Sequence, residues 1–356
     1  LMENTTGGSN TGVGKGSLLN NTTASNNTAV GRDALTANTT GATNVAIGKS
    51  ALANNTTAAN NTAMGANALL TNTTGSALVA IGSSALYSNT TADNNVAVGN
   101  TALYNNTTGT KNIAVGPSCL LTNTTGSFNV AIGLSALYAN TTAPNNTGIG
   151  TEALKSNTTG TQNVAVGAFS MINNTTANNN TAIGYTALYS NTTGTDNTAI
   201  GDEALQQNTT GTQNVAVGAL ALDANTTASN NIGIGYLSLT ANTTGTQNVG
   251  VGVNTIADNT TGDFNTGIGH QALKNNETAS NGVAVGNNAL LNNTTGANNT
   301  AIGSQSLLTN TTGGSNIGIG VAALYGNTSG GNNVGIGNSA LFSNTTASNN
   351  TALGYF

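Results

Sequence analysis

The feature that most constrains this chain is a 17-residue repeat. The stretch NTTGTQNVAVG occurs at residues 157–167 and again, unchanged, at residues 208–218, which is three repeats further along the chain. The whole sequence can be divided into blocks of 17 without one insertion or deletion. Each segment of a globular core meets a different environment, so a period of this regularity predicts a repetitive fold.

Each block, numbered from Asn10, follows the template N-[VT]-[AG]-[VI]-G-x-x-[AS]-L-x-x-N-T-T-[GA]-x-x. Position 5 is Gly and position 12 is Asn in all 21 occurrences. Position 4 is always Val, Ile, Leu or Met, and position 9 is always Leu, Met or Ile. We therefore predict one elongated repeat domain over 1–356, with a partial coil at 1–9, twenty full repeats at 10–349 and a partial coil at 350–356.

Alternation at positions 1–4 predicts a β-strand, because residues that point to one face of a strand recur with a period of two. A second short strand is expected near positions 8–11, around the Leu. These two strands per coil predict an all-β parallel β-solenoid of about 21 coils. We expect its core to be two aliphatic ladders, with Ile47 over Met64 and Ile81 at position 4 and Leu52 over its equivalents at position 9.

The turn at positions 12–17 is expected in two forms. Position 15 is Gly in 13 repeats and Ala in 8, and every repeat with Ala carries Asn at position 17. Gly and Asn enter the left-handed region at the least cost. We therefore predict that the left-handed residue is at position 15 in one form, as at Gly160, and at position 17 in the other, as at Asn145.

Composition and single residues exclude several classes of function. Only 5% of the residues are charged, and six Lys and Arg residues cannot form the basic stripe that nucleic-acid binding needs. No apolar run reaches the roughly 20 residues of a membrane span. Cys119 is alone, which leaves neither a disulfide nor a zinc motif. His270 is expected to be a solvated side chain, and the Asp202-Glu203 pair should point to opposite faces. We predict no enzyme, no cofactor and no metal.

Position 12 forms a row of Asn-x-Ser/Thr sequons that has two interpretations. The favoured one is a stacked ladder of amides that hydrogen-bond from coil to coil, because parallel in-register strands allow it. The other is N-glycosylation of a subset of exposed sites. The candidate acceptors are Asn4, Asn21, Asn38, Asn55, Asn72 and Asn89.

Position 10 is large and apolar in twelve of the twenty full repeats. If the Leu at position 9 points inward, position 10 should point outward and form an apolar stripe that contacts another chain. The alternative is that a rounded corner of the coil turns these side chains inward. The aromatic members of the stripe are Tyr87, Tyr104, Tyr138, Tyr189, Tyr325 and Phe342.

The motif N-V-A-I-G at Asn44–Gly48 and Asn129–Gly133 resembles the head repeat of YadA-like trimeric autotransporter adhesins. That repeat typically reads S-V-A-I-G and winds a left-handed parallel β-roll, and three chains pack into a head. The resemblance implies display at the cell surface or outside the cell, and attachment. The family's repeat is usually shorter and lacks the N-T-T-G arm, and this chain has no heptad stalk, neck or membrane-anchor barrel.

The function we expect is that of a structural subunit of an extracellular filament. The chain starts at positions 9–15 of a repeat and stops at positions 1–7, so two copies joined head to tail would complete one shared coil. The contact residues would be Leu1, Met2, Asn4, Asn350, Leu353, Tyr355 and Phe356. The partner is then a second copy, with lateral bundling or a trimer as further options. The alternatives are an adhesin head, a viral or phage fibre shaft and, less favoured, an ice-binding protein that uses the Thr residues at positions 13 and 14.

Overall fold

A computed structural model describes residues 2–355 and divides the chain into two compact units, Leu1–Asn178 and Asn179–Phe356. Each unit is a parallel β-solenoid of 17-residue coils, and the described residues contain no helix. The predicted fold class is therefore confirmed. That the whole chain is a single domain stays a prediction.

The first unit contains ten strands of three residues, each at positions 2–4 of its coil. They are β1 (Thr11–Val13), β2 (Thr28–Val30), β3 (Val45–Ile47), β4 (Thr62–Met64), β5 (Val79–Ile81), β6 (Val96–Val98), β7 (Ile113–Val115), β8 (Val130–Ile132), β9 (Thr147–Ile149) and β10 (Val164–Val166). Consecutive strands pair in parallel, without a shift of register.

The second unit repeats this arrangement with eleven strands, again paired consecutively and in parallel. They are β11 (Thr181–Ile183), β12 (Thr198–Ile200), β13 (Val215–Val217), β14 (Ile232–Ile234), β15 (Val249–Val251), β16 (Thr266–Ile268), β17 (Val283–Val285), β18 (Thr300–Ile302), β19 (Ile317–Ile319), β20 (Val334–Ile336) and β21 (Thr351–Leu353). Within each unit, every strand residue thus lies over its equivalent in the neighbouring coil.

The predicted second strand at positions 8–11 is wrong, because positions 6–11 form turns instead. Residues at positions 7 and 9 have positive φ angles, such as 57° at Ser50 and 50° at Leu52, and a strand cannot contain them. Hydrogen bonds between coils nevertheless continue through this segment. The amide of Leu52 donates to Ala68 O at 3.0 Å, and the amide of Asn54 donates to Leu70 O at 3.3 Å.

The expected core is half right. The Leu ladder at position 9 is confirmed, since Leu52 is fully buried. The ladder at position 4 faces outward, with 36% of Ile47 and 39% of Met64 exposed, whereas the small residue at position 3, such as Ala46, is fully buried.

The reason is the narrow interior of the coil. A Cβ added to Gly148, at position 3, would lie 3.3 Å from Leu137 Cγ and 3.1 Å from Ala153 O. A methyl group therefore fills the space between the strand and the Leu ladder, and an Ile side chain does not fit there.

The prediction of two turn forms is also wrong, although its left-handed residue at position 17 is confirmed in the coils with Ala. Position 17 has a positive φ in every coil, whichever residue stands at position 15: φ is 62° at Asn145 in a coil with Ala and 60° at Gln162 in a coil with Gly. Gly160 is outside the left-handed region. Glycine at position 15 is consequently needed for a reason other than its φ angle.

Glycine at position 5 ends each strand for two reasons. Its φ lies between 123° and 144° in all 21 coils, a region that L-residues rarely enter. A Cβ at this position would also overlap the backbone of the next coil, as at Gly133, where it would lie 2.5 Å from Gly150 O.

We predict that Gly133→Ala destabilises the first unit by about 3 kcal/mol, because the strained dihedral and the overlap with the next coil add together. Thermal unfolding followed by circular dichroism measures the loss. Leu134→Ala is the control, since that neighbouring side chain is 50% exposed and should change stability little. Equal unfolding midpoints for both variants would contradict this explanation of the glycine.

Candidate interaction surfaces

The outer face of the sheet is formed by the side chains at positions 2 and 4, and we call it the aliphatic face. Position 2 is Thr, Val or Ile in every coil, and position 4 is Val, Ile, Met or Leu in every coil. Alternation along each strand places both positions on the side away from the core. The face therefore contains no charged and no amide side chain.

Its side chains are partly accessible. At position 4 the exposed fraction is 38% for Ile132, 39% for Ile183 and 37% for Ile200, and at position 2 it is 41% for Ile113. The rest of each side chain is covered by its equivalents in the coils above and below. The result in each unit is a continuous and mainly apolar surface, and exposed apolar surfaces of this kind are typical of contacts with another molecule.

The stripe predicted at position 10 is half-buried, so its side chains point neither fully outward nor fully inward. Tyr87, Tyr104, Tyr138, Tyr189 and Tyr325 are half-buried, and Phe342 is 41% exposed. Neighbouring rings stack on each other: the ring centroids of Tyr87 and Tyr104 are 4.9 Å apart, with planes 9° from parallel. Their faces are thus largely used within the stripe, which also contains charged residues such as Lys155 and Asp223.

The asparagines at position 12 form the ladder that the sequence predicted. Asn157 is fully buried, and its Nδ2 donates to Asn140 Oδ1 in the preceding coil at 3.0 Å and to Gly160 O at 2.9 Å. Its Oδ1 accepts from Asn174 Nδ2 in the following coil at 2.8 Å. Each amide is thus satisfied by its two neighbours and by its own coil, which removes the cost of burying it.

A second ladder, at position 1, was not recognised in the sequence. The backbone amide of Asn163 donates to Asn146 Oδ1 at 3.0 Å, and Asn146 Nδ2 donates to Gly160 O at 2.8 Å. The carbonyl of Gly160, at position 15, therefore accepts from both Asn157 and Asn146 of its own block, and joins the two ladders. The occurrence of Asn at position 1 in 19 of 21 blocks was the available signal.

Burial of the position 12 ladder bears on the candidate glycan acceptors. Asn21, Asn38, Asn55, Asn72 and Asn89 are fully buried, and Asn4 is half-buried. Their Nδ2 atoms, to which a glycan would be attached, donate hydrogen bonds inside the coil, as Asn55 does to Asn38 Oδ1 at 2.9 Å. The folded chain therefore does not offer the five buried sequons for modification.

The threonines at positions 13 and 14 differ in the use of their hydroxyls. Thr39 Oγ1, at position 13, donates to Thr56 O in the next coil at 3.1 Å. Thr40, at position 14, is exposed. Only one of the two Thr ladders therefore turns its hydroxyls to solvent.

The residues predicted for a head-to-tail contact lie in the first and last coils. Met2 is 82% exposed, Leu353 is 81% exposed and Tyr355 is 72% exposed. Asn4 and Asn350 are half-buried and belong to the two asparagine ladders. Leu1 and Phe356 are outside the described residues.

The titratable residues do not converge on a site. Burial raises the pKa of the Cys119 thiol to about 12. Burial and the nearby Glu203 raise the pKa of Asp223, a proximity that sequence spacing did not predict. His270 is exposed beside Asn287. Within residues 2–355, no group of three or more His, Cys, Asp or Glu side chains is placed to hold a metal ion.

We predict that Asn157→Ala lowers the free energy of unfolding by about 3 kcal/mol, because it leaves buried partners on Asn140 and Asn174 unsatisfied. Asn157→Asp should destabilise more at neutral pH than at acid pH. The ionised carboxylate cannot donate to Asn140 Oδ1, whereas the protonated acid can, so stability falls as pH rises through the raised pKa of the new carboxyl.

Denaturant unfolding at several pH values measures both effects. Ser156→Ala is the matched control, since this half-buried neighbour is connected to the next coil through its backbone amide. A pH-independent loss in Asn157→Asp would contradict the role of the amide as a donor.

Comparison with known proteins assigns no family to this chain. No protein-family model matches it, and neither does any curated protein sequence. Among residues 2–355, no helix has the length and apolar character that a membrane span requires. The chain is consequently classified by its own geometry, as a parallel β-solenoid of 17-residue coils.

Proposed function

We propose that this chain is a structural subunit of an extracellular filament and that copies associate laterally through the aliphatic face. The observation that carries the proposal is the aliphatic row at position 4, which is uninterrupted in each unit, from Val13 to Val166 in the first and from Ile183 to Leu353 in the second, and whose side chains are all half-buried or exposed. A surface that stays exposed to water is expected to carry polar side chains at some of these positions.

Polar residues are plentiful elsewhere in each coil, which makes their absence from this row informative. Position 14, for example, is Thr or Ser in every coil and exposed throughout. Each coil therefore has a polar surface at position 14 and a mainly apolar one at positions 2 and 4. Association through the aliphatic face removes the apolar side from water and leaves the polar side in contact with solvent.

The partner that fits this face best is a second copy of the chain. The side chains stand in rows at the coil spacing of about 4.8 Å. Only a surface with the same spacing can interdigitate with them along its whole length. Two sheets can then pack face to face about 10 Å apart, as the sheets of β-sandwiches do.

The area of one unit's face corresponds to a small specific interface. A coil spacing of about 4.8 Å and a three-residue strand of about 10 Å give roughly 50 Å² of projected face per coil. Ten coils of one unit then provide about 500 Å² per partner, or roughly 1,000 Å² in total when two such faces meet, which is at the low end of specific protein–protein interfaces.

The resemblance to YadA-like head repeats supports location outside the cell or at its surface. In that family three chains pack together, so a trimer is one form that the lateral contact can take. An adhesin head or a viral or phage fibre shaft is the alternative function. Electron microscopy distinguishes them, because long uniform threads favour the filament and short lollipop-like particles favour the head.

Catalysis is not proposed, since the chain's titratable groups are dispersed, and ice binding is disfavoured because the position 13 hydroxyls bond within the stack.

We predict that Ile200→Glu/Ile234→Glu, on the aliphatic face, abolishes lateral association and leaves the coils folded. The charges would have to be buried in the contact but remain hydrated in the single chain. Analytical ultracentrifugation measures the association, and circular dichroism checks the fold.

The control is Thr210→Glu/Thr244→Glu, which adds the same charges to the same two coils at exposed position 14. This variant should associate like the wild-type chain. Unchanged association of the Ile200→Glu/Ile234→Glu variant would exclude the aliphatic face. Loss of association in Tyr87→Ser/Tyr104→Ser alone would place the contact on the position 10 stripe.

A further inference from the structure

Alanine at position 15 never occurs in two neighbouring coils. The eight alanines are Ala24, Ala58, Ala92, Ala143, Ala177, Ala228, Ala279 and Ala347, and the coil before and after each of them, where present, has Gly at position 15. The φ angle does not explain this pattern, since position 15 lies outside the left-handed region in both types of coil. The cause must be the space between coils.

Position 15 faces the next coil closely. A Cβ added to Gly126 would lie 2.6 Å from Ala143 O, the carbonyl oxygen at position 15 of the following coil. The Cβ of an alanine can be accommodated only if its own turn moves away from that carbonyl. The edge that one coil presents to the next is therefore a contact surface whose fit depends on this residue.

The displacement is visible in the hydrogen bond that joins consecutive coils at position 13. In coils with Gly at position 15, the amide of position 13 donates to the next position 13 carbonyl at 2.7–3.0 Å, as from Thr39 to Thr56 at 2.9 Å. In coils with Ala the described bonds measure 3.1–3.4 Å, as from Thr22 to Thr39 at 3.1 Å. The two ranges do not overlap.

The strand side of the coil does not expand in the same way. The amide at position 2 donates to the next position 1 carbonyl at 2.8 Å from Val45, in a coil with Ala, and at 2.9 Å from Thr28, in a coil with Gly. An alanine at position 15 thus increases the distance between two coils at the turn, whereas the spacing between their strands stays the same. In the next step, glycine at position 15 allows the two coils to approach each other closely again at this turn.

A second contact follows the same pattern. In several coils with Gly, the amide at position 16 donates to the position 16 side chain of the following alanine coil. Examples are Thr161 to Asn178 Oδ1 at 2.7 Å and Thr212 to Ser229 Oγ at 3.0 Å. From an alanine coil, the equivalent bond of Ala59 to Ser76 Oγ is longer, at 3.3 Å. The short bond therefore depends on glycine in the donating coil, and it forms equally when the following coil has glycine, as from Thr110 to Ser127 Oγ at 3.0 Å.

We propose that position 15 determines which coils can be neighbours: the edge of an alanine coil accepts only a coil with glycine at this position. Alanine in two successive coils would increase the distance between coils at the turn twice, whereas the spacing between the strands would stay fixed. The hydrogen bonds between the turns would then be lost. The order of alanine and glycine at position 15 thus determines which coils can follow one another, although the coils are otherwise nearly identical.

The test compares two chemically identical substitutions in adjacent coils of the second unit. Gly296→Ala places an alanine directly after Ala279, and Gly313→Ala places one between Gly296 and Gly330. In both cases the added Cβ meets the position 15 carbonyl of the next coil, so local overlap alone predicts equal effects. The proposal predicts that Gly296→Ala lowers the unfolding midpoint by several degrees and that Gly313→Ala changes it little.

The double variant Ala279→Gly/Gly296→Ala moves the alanine by one coil and again leaves it between two glycines. Its unfolding midpoint should return to that of Ala279→Gly alone. Hydrogen exchange of the amides at positions 13 and 14 gives the local measurement, with faster exchange at Thr294 and Thr295 expected only in Gly296→Ala. Equal midpoints for Gly296→Ala and Gly313→Ala, or failure of the double variant to recover, would overturn the proposal.

Discussion

The structure depends on the requirement that, within each unit, every coil hydrogen-bonds to the next in the same register, one repeat further along the chain. Because the pairing is parallel and in register, each side chain stands on its equivalent in the neighbouring coil. Such stacking favours residues that interact well with copies of themselves. Asparagine meets this condition inside the coil, since its amide is both donor and acceptor, as the contacts of Asn157 with Asn140 and Asn174 illustrate. Charged residues do not meet it, which accounts for the charged fraction of 5%.

The same hydrogen bonds hold backbone conformations that are costly in isolation. Leucine at position 9 has φ angles of 49–55° in nearly every described coil, a region that costs roughly 1–2 kcal/mol for a residue with a Cβ. This conformation directs the Leu side chain into the core and allows its amide to reach the next coil, as Leu52 reaches Ala68. Full burial of the Leu side chain, worth about 1.5–3 kcal/mol, is of the same size as the cost.

Each coil is short and encloses little space, and this decides which apolar residues are inside. The interior of a coil holds one Leu, the small residues of positions 3, 8 and 15 and two asparagines, so the large residues of the strand must face outward. The aliphatic face is therefore a consequence of the narrow core as well as a candidate contact surface. At the position 10 stripe, in contrast, stacking of neighbouring rings covers part of the apolar surface, as between Tyr325 and Phe342.

The sequence by itself determined the period, the parallel solenoid, the Leu ladder and the asparagine ladder at position 12, because each depends on a residue pattern repeated in every coil. It also placed the first strand to within one residue, at positions 1–4 where the structure has it at positions 2–4. It did not determine which face of the strand is inside. The alternating pattern of the strand is the same whether Ala46 or Ile47 lies inside. Only the short distance from the strand to the Leu ladder, seen at Gly148, decides between these two orientations. Nor did it reveal the left-handed conformation of Leu52, since Leu has no intrinsic preference for that region. That conformation is selected by hydrogen bonds between coils, and these exist only in the tertiary structure.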